Sequence, residues 1–343
     1  MRSEPATPMR VVVERVERET ADAVSLVLRA ADPGRPLAPG PGQFLTVRLP
    51  GGQARCYSFS RTGPEPRITV KRLAGGAGST WLCEEAGPGT LLTVLPPEGT
   101  FAPRSWDGDL LLAAGGSGIT PVLPLARAAL ERGRGRVAIV YANRDEASVI
   151  FRDELIRLAA AHPGRLLLHH LLDSVQGPPG HHQLTQLLAP YREAELLLCG
   201  PAPFMAAVER AARALGTPRE RIRREVFRSL DGDPFAAPEE AAAPGPGGAG
   251  PPAALGLTLD GALHELPWPG GTTLLAALLA HGVDAPFSCR EGACGACACR
   301  VLSGEVAAGD PGVLTAEDLA EGYVLACQAL PPGDGSAVRV SYD

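Results

Sequence analysis

Five of the eight cysteines fall between residues 289 and 327, and their spacing restricts what the C-terminal part of the chain can build. Cys289-x4-Cys294-x2-Cys297, followed by a distant Cys327, is the plant-type ligand spacing of a [2Fe–2S] cluster. Three thiolates on one tight loop wrap one side of such a cluster, and the distant fourth closes the cage. Gly292 and Gly295 let the backbone turn closely and present amides to the sulfurs. A zinc ribbon is the alternative, but it expects two paired C-x2-C hooks, and Cys327 has no cysteine near it in sequence. Cys299 is expected to enter the following strand as a small core residue rather than to serve as an alternative ligand.

At 343 residues the chain has room for two or three domains. Its formal charge of −6 is unevenly divided. Residues 253–343 carry 11 acidic side chains against three arginines, a balance of −8, which leaves +2 on residues 1–252. A nucleic-acid binder would concentrate positive charge on one domain or face, so that class is excluded. No run of 18 apolar residues predicts a membrane span, and the N-terminus lacks the apolar core of a secretory leader. A cytoplasmic location is expected, where clustered cysteines bind metal more often than they form disulfides.

The first hundred residues read as short strands (VVVERV, AVSLVLRA, QFLTVRL, ARCYSFS, RITVKRL) between Pro/Gly turns, the pattern of a barrel or sandwich. From about residue 109, strands alternate with helices, which predicts a parallel sheet covered on both faces. Residues 236–253 are Ala, Pro and Gly without an apolar face and read as a linker. The remainder, from LGLTLDG to AVRVSY, reads as a small α+β unit. The expected domains are therefore 1–105, 106–235, the linker 236–253, and 254–343.

LLLAAGGSGITPV (110–122) places Gly115, Gly116 and Gly118 between a strand and a helix, where free amides can meet a pyrophosphate. Pro121 stands where G-x-G-x-x-G has its third glycine, so this is not the ordinary dinucleotide fingerprint. Alone, such a turn is also a plain strand–helix connection. The double histidines His169–His170 and His181–His182 lack i, i+4 spacing and read as core or loop residues rather than ligands.

APFSCREGACGACACRVLSGEV with YVLACQA resembles the plant-type ferredoxin domain of bacterial oxygenase reductases. ARCYSFS (54–60), GGAGSTWL (75–82), the glycine turn and LLCGPAPFM (197–205), in this order, resemble the ferredoxin–NADP⁺ reductase superfamily. The resemblance implies a flavin-binding antiparallel β-barrel, an α/β nicotinamide-binding parallel sheet and a β-grasp-like α+β ferredoxin domain. It implies that Arg55 pairs with the diphosphate of FAD, Tyr57 packs on the isoalloxazine and Ser58 hydrogen-bonds its N5 edge. Gly76, Gly78, Ser79 and Thr80 would hold the pyrophosphate. Gly116, Gly118, Thr120, Pro121, Cys199, Gly200 and Pro201 would flank the nicotinamide, with Cys199 near its reacting carbon. Phe227 would lie over the flavin and Glu225 near the nicotinamide or N5 region. Plainer readings stand beside these: Tyr57 as a strand aromatic, Cys199 as a core thiol, and 225–235 as an edge strand entering the linker. Lys71 receives no role.

REVFRSLDGDPF, YANRDEASVIFRDEL and the ending VRVSYD look especially like the reductases of 3-ketosteroid 9α-hydroxylases, while phenylacetyl-CoA epoxidase reductases share the layout. A terminal oxygenase, Rieske-type, is the implied partner, and a monomer is expected. Arg144 follows the second strand of the nicotinamide sheet and could meet a 2′-phosphate, but Asp145 and Glu146 beside it would repel one. The resemblance favours NADH over NADPH. The acidic C-terminal domain is expected to dock electrostatically on its partners, so that salt slows transfer.

Overall fold

Short strands with buried alternating residues open the chain, and in the computed structural model they close on themselves. The structure describes residues 7–342 apart from 228, 231, 236–250, 260, 284, 288, 289, 294, 310 and 312. The described chain divides into two compact units, 9–49 with 55–226, and 7–8 and 50–54 with the residues from 227 onward.

In the first unit, β1 (Met9–Thr20), β2 (Ala23–Ala30), β3 (Phe44–Arg48), β4 (Ala54–Arg61), β5 (Arg67–Lys71) and β6 (Leu91–Val94) form a closed barrel of order β1-β2-β5-β4-β3-β6. Closure removes exposed sheet edges. The interior is filled by Leu26, Leu45, Val47, Phe59 and Ile68. Helix α1 (Ala77–Glu84) follows β5, and its Leu82 packs into the same core.

The chain then alternates: β7 (Leu110–Gly115), α2 (Ile119–Arg132), β8 (Val137–Asn143), α3 (Arg152–Ala161), β9 (Leu166–Leu172), α4 (Asp173–Gln176), α5 (His181–Leu188), β10 (Glu195–Cys199), α6 (Ala202–Ala214) and β11 (Ile222–Glu225). The strands pair in parallel in the order β11-β10-β7-β8-β9. Every residue of β7 is buried, as a strand covered on both faces requires. Chain order reverses between β7 and β10, so the crevice outside their C-terminal ends is the topological switch point where such sheets bind ligands.

The second unit holds a five-stranded sheet of order β13-β12-β18-β14-β16, built from β12 (Ala253–Leu259), β13 (Ala262–Trp268), β14 (Ala298–Ser303), β16 (Tyr323–Leu325) and β18 (Val338–Ser341). The pair β15 (Ala307–Ala308) and β17 (Ala329–Leu330) stands apart. Helix α7 (Leu274–Ala280) covers a core that includes Trp268, Leu278 and Cys299, and a short α8 (Ala316–Ala320) precedes β16. The α+β expectation holds. Most of the linker expected at 236–253 lies outside the described residues.

Candidate functional site

Two backbone turns meet at the switch point. A Cβ on Gly118 would lie 2.0 Å from the carbonyl oxygen of Cys199, so only glycine lets the β7–α2 turn rest on the end of β10. Gly115 packs in the same way on Pro201, where a Cβ would come within 2.8 Å of the ring. The Tyr141 hydroxyl donates to the Gly116 carbonyl at 3.0 Å and accepts from the Ile150 amide at 3.2 Å, bracing the turn from β8. Thr120 and Pro121 form the buried first turn of α2, where proline is tolerated. The glycine turn and the Cys199–Gly200–Pro201 turn are thus one structure, from segments about 80 residues apart.

Register brings the next residues together. Cys199 pairs with Glu225 on β11 and with Ala114 on β7. The Ser58 hydroxyl, on barrel strand β4, donates to Glu225 Oε2 at 3.0 Å. Glu225 keeps part of its surface open, yet its surroundings desolvate the carboxyl and push it up to about 8, against the opposing bond from Ser58. The Cys199 thiol is fully enclosed among Ile119, Leu197 and their neighbours, and burial raises it well above the ordinary thiol range. It is a neutral thiol held in the core, consistent with the plainer reading of that residue.

This shift has a testable sign. A carboxyl raised on folding adds stability below its unfolded value, near 4.5, and that contribution is lost as pH rises through about 8. The melting temperature of the wild-type chain is expected to fall between pH 5 and pH 9 more steeply than that of Glu225→Gln. Parallel profiles would remove Glu225 from this account.

At the barrel, α1 starts at Gly76 without a side-chain cap and carries no acid in its first turn. A Cβ on Gly78 would lie 2.3 Å from Leu49 Cδ1 and 3.4 Å from the Tyr57 hydroxyl and Arg55 Cγ, so this turn is pressed against β4. An uncapped helix start beside a guanidinium-bearing side chain suits a pyrophosphate. The Ser79 hydroxyl donates to the Gly76 carbonyl at 3.0 Å and accepts from the Leu73 amide at 3.1 Å, so it shapes the loop. The Thr80 amide donates to the same carbonyl. Tyr57 is half-buried, with its phenol raised by desolvation.

The three charged residues after β8 separate. Arg144 donates to Asp22 Oδ2 at 3.1 Å, the Asp145 carboxylate accepts from the Ser148 amide, and Glu146 pairs with Arg152 at 2.7 Å. His169 bonds the Tyr191 hydroxyl and the His170 ring is tilted against that of Tyr141, while His181 and His182 start α5, exposed. Phe227 begins the second unit and is half-exposed.

In the second unit, Cys297 immediately precedes β14, and Cys327 follows β16 by two residues. The antiparallel register Ala298↔Leu325 therefore carries on to set Cys297 opposite Ala326, one residue from Cys327, with the Ala326 amide donating to the Cys297 carbonyl at 3.0 Å. Both thiols are buried. Cys289 and Cys294 lie outside the described residues. The surroundings suit anionic sulfur: Gln328 Nε2 donates to Cys327 Sγ at 3.6 Å. The buried Tyr342 hydroxyl lies by the Cys299 thiol without a well-aligned hydrogen bond, within electrostatic reach of Cys297 and Cys327. Cys299 itself is a core thiol, pushed up to about 12 by burial.

Residues 257–332 match the model of the 2Fe-2S iron-sulfur cluster binding domain, and residues 112–210 match that of the oxidoreductase NAD-binding domain. The chain is 48% identical over 334 residues, 94% of each chain, to a Rhodococcus rhodochrous protein named the ferredoxin reductase component of 3-ketosteroid-9-alpha-monooxygenase. The chain belongs to the ferredoxin reductase components of oxygenases. A component of the 1,2-phenylacetyl-CoA epoxidase of Escherichia coli is a more distant relative, 33% identical over 94% of each chain. The fold matches that of phthalate dioxygenase reductase, with a TM-score of 0.57 over 97% of this chain and 98% of that one, at 24% identity. An oxygenase reductase of this kind is an oxidoreductase that works with NADH, FAD and a [2Fe–2S] cluster. Among the described residues no helix is long and apolar enough to cross a membrane.

Proposed function

We propose that this chain passes electrons from NADH to a Rieske-type terminal oxygenase acting on a 3-ketosteroid nucleus, and that it works as a monomer. The observation that carries the substrate class is 48% identity to the steroid-system reductase, against 33% to the epoxidase component. FAD, when bound, accepts the two electrons of a hydride and releases them singly to a [2Fe–2S] cluster, which takes one at a time.

The chain's residues do the positioning. Arg55 grips the flavin diphosphate with its planar fork, and the Gly78 and Ser79 amides turn toward the same charge from a turn closed by the Thr80 amide on the Gly76 carbonyl. Tyr57 offers its ring as a wall for the isoalloxazine. Ser58 and Glu225 form a hydrogen-bonded pair that can hold a proton beside the flavin N5 edge. Gly116, Gly118, Thr120, Pro121, Gly200 and Pro201 shape the backbone floor for the nicotinamide. Cys199 contributes through its backbone and its packing. Arg144 stands by the adenosine ribose. Cys289, Cys294, Cys297 and Cys327 ligate the iron.

Reconstitution decides the substrate class. The purified chain, NADH and a steroid-hydroxylating Rieske oxygenase are expected to give NADH-dependent steroid hydroxylation. Turnover only with a phenylacetyl-CoA epoxidase would overturn the steroid reading.

A further inference from the structure

The cation that follows β8 is held by an acid from the barrel. Asp22 sits in the tight turn between β1 and β2. Its backbone carbonyl accepts from the Arg72 amide at 2.7 Å, and its Oδ1 accepts from the Thr20 hydroxyl at 2.8 Å. These bonds aim Oδ2 at two cations, Arg144 Nη2 at 3.1 Å and Lys71 Nζ at 3.7 Å. Burial works against the charge on Asp22, but the Thr20 hydroxyl, Lys71 and Arg144 outweigh it and hold the carboxyl below its usual range.

The cluster lies at the coenzyme end of the sheet. Lys71 Nζ comes within 3.9 Å of where a Cβ on Gly116 would stand, which places the lysine on the rim of the β7–α2 turn. Arg144 follows β8, the strand beside β7, and its carbonyl accepts from the Ser174 amide at 2.8 Å. The neighbouring acids face elsewhere, Asp145 on the Ser148 amide and Glu146 on Arg152. Among the described residues, Asp22 is the carboxylate that touches Arg144.

We propose that Asp22 is a specificity-determining residue that selects NADH, by occupying Arg144 and Lys71 and setting a negative charge where a coenzyme 2′-phosphate would arrive. The proposal rests on reading the switch point as the coenzyme site. An arginine is the natural bidentate partner of a phosphate dianion. Here that phosphate must displace a carboxylate already in place and approach its charge. The 2′-hydroxyl of NADH is neutral and meets neither obstacle. Discrimination therefore comes from a repulsive element placed against the wrong coenzyme, rather than from an extra contact to the right one.

Asp22→Asn keeps the shape and an acceptor for Thr20 while removing the charge. A charge-assisted hydrogen bond contributes enough for a gain of about tenfold in kcat/KM for NADPH, with NADH changed by less than about twofold. Ferricyanide serves as the acceptor in the intact holoenzyme. Calorimetry supplies a readout independent of turnover: adenosine 2′,5′-bisphosphate should bind more tightly to the variant by a similar factor, with 5′-AMP unchanged. Adding Arg144→Ala should cancel both gains. Asp22→Ser must reproduce the selective shift if Asp22→Asn folds poorly. NADPH and NADH moving together, or no change for NADPH in a folded variant, would overturn the role of Asp22. A wild-type protein that fails to oxidise NADH, or to bind 5′-AMP, would instead overturn the coenzyme site itself.

Discussion

Cys297→Ser is expected to lower NADH-driven reduction of a one-electron protein acceptor such as cytochrome c by on the order of a hundredfold or more. NADH-driven reduction of ferricyanide should stay within about twofold. Groups behind metal ligands alone commonly account for 10–100-fold in affinity or activity, so loss of a ligand belongs at or beyond the top of that range. Cys297 is buried immediately before β14 and set opposite Ala326, one residue from Cys327, so a serine there is held in the same place. Cys299→Ala is the internal control. That thiol belongs to the core and its loss should leave the visible spectrum intact. Equal effects of the two substitutions on transfer and spectrum would mean that the cluster is held differently.

Glu154→Ala is expected to destabilise the first unit by about 3 kcal/mol or more, the scale for breaking a buried ion pair and stranding its partner. Arg67, on β5, is 2% exposed. It donates to Glu154 Oε2 at 3.0 Å and to Ser60 Oγ at 3.1 Å, and its guanidinium lies 4.6 Å from the centre of the Phe151 ring. Arg127, on α2, holds the other Glu154 oxygen at 2.8 Å. One carboxylate therefore ties a barrel strand to two helices of the parallel sheet. Glu17 and Glu19 stand 3.6 and 3.9 Å from Arg67, which keeps the expected effect at the lower end of the range for buried pairs. Urea unfolding of Glu154→Ala and Glu154→Gln measures it, the glutamine being milder because it retains hydrogen-bonding atoms. A loss below about 1 kcal/mol would class the network with solvent-screened surface pairs.

Architecture was legible because its signals are local. Apolar runs such as LLLAA and VAIVYAN, short and bounded by turn residues, read as strands covered on both faces, and both lie in the parallel sheet. The cysteine spacing carried the 2Fe-2S domain in the same way. Partnerships across the chain were not legible. Asp22 and Arg144 are separated by 122 positions and Arg67 and Glu154 by 87, with no periodicity linking either pair. Lys71 received no role for the same reason: its meaning lies in Asp22 and the Gly116 turn. Arg144, Asp145 and Glu146 read as one ambiguous charged run, and folding gives each a different partner. The direction of the Cys199 side chain also depended on tertiary packing, since a residue at a strand end can face either way. The glycine and proline of LLCGPAPFM mark the turn whose backbone and ring pack on Gly118 and Gly115.

The visible spectrum of the purified wild-type chain, recorded before and after anaerobic addition of NADH, tests the electron path most directly. Flavin bands superimposed on broad iron–sulfur absorption, both bleaching on NADH, are the predicted result. A spectrum without the broad absorption, or one in which it persists after the flavin bands have bleached, would contradict the path from NADH through flavin to cluster.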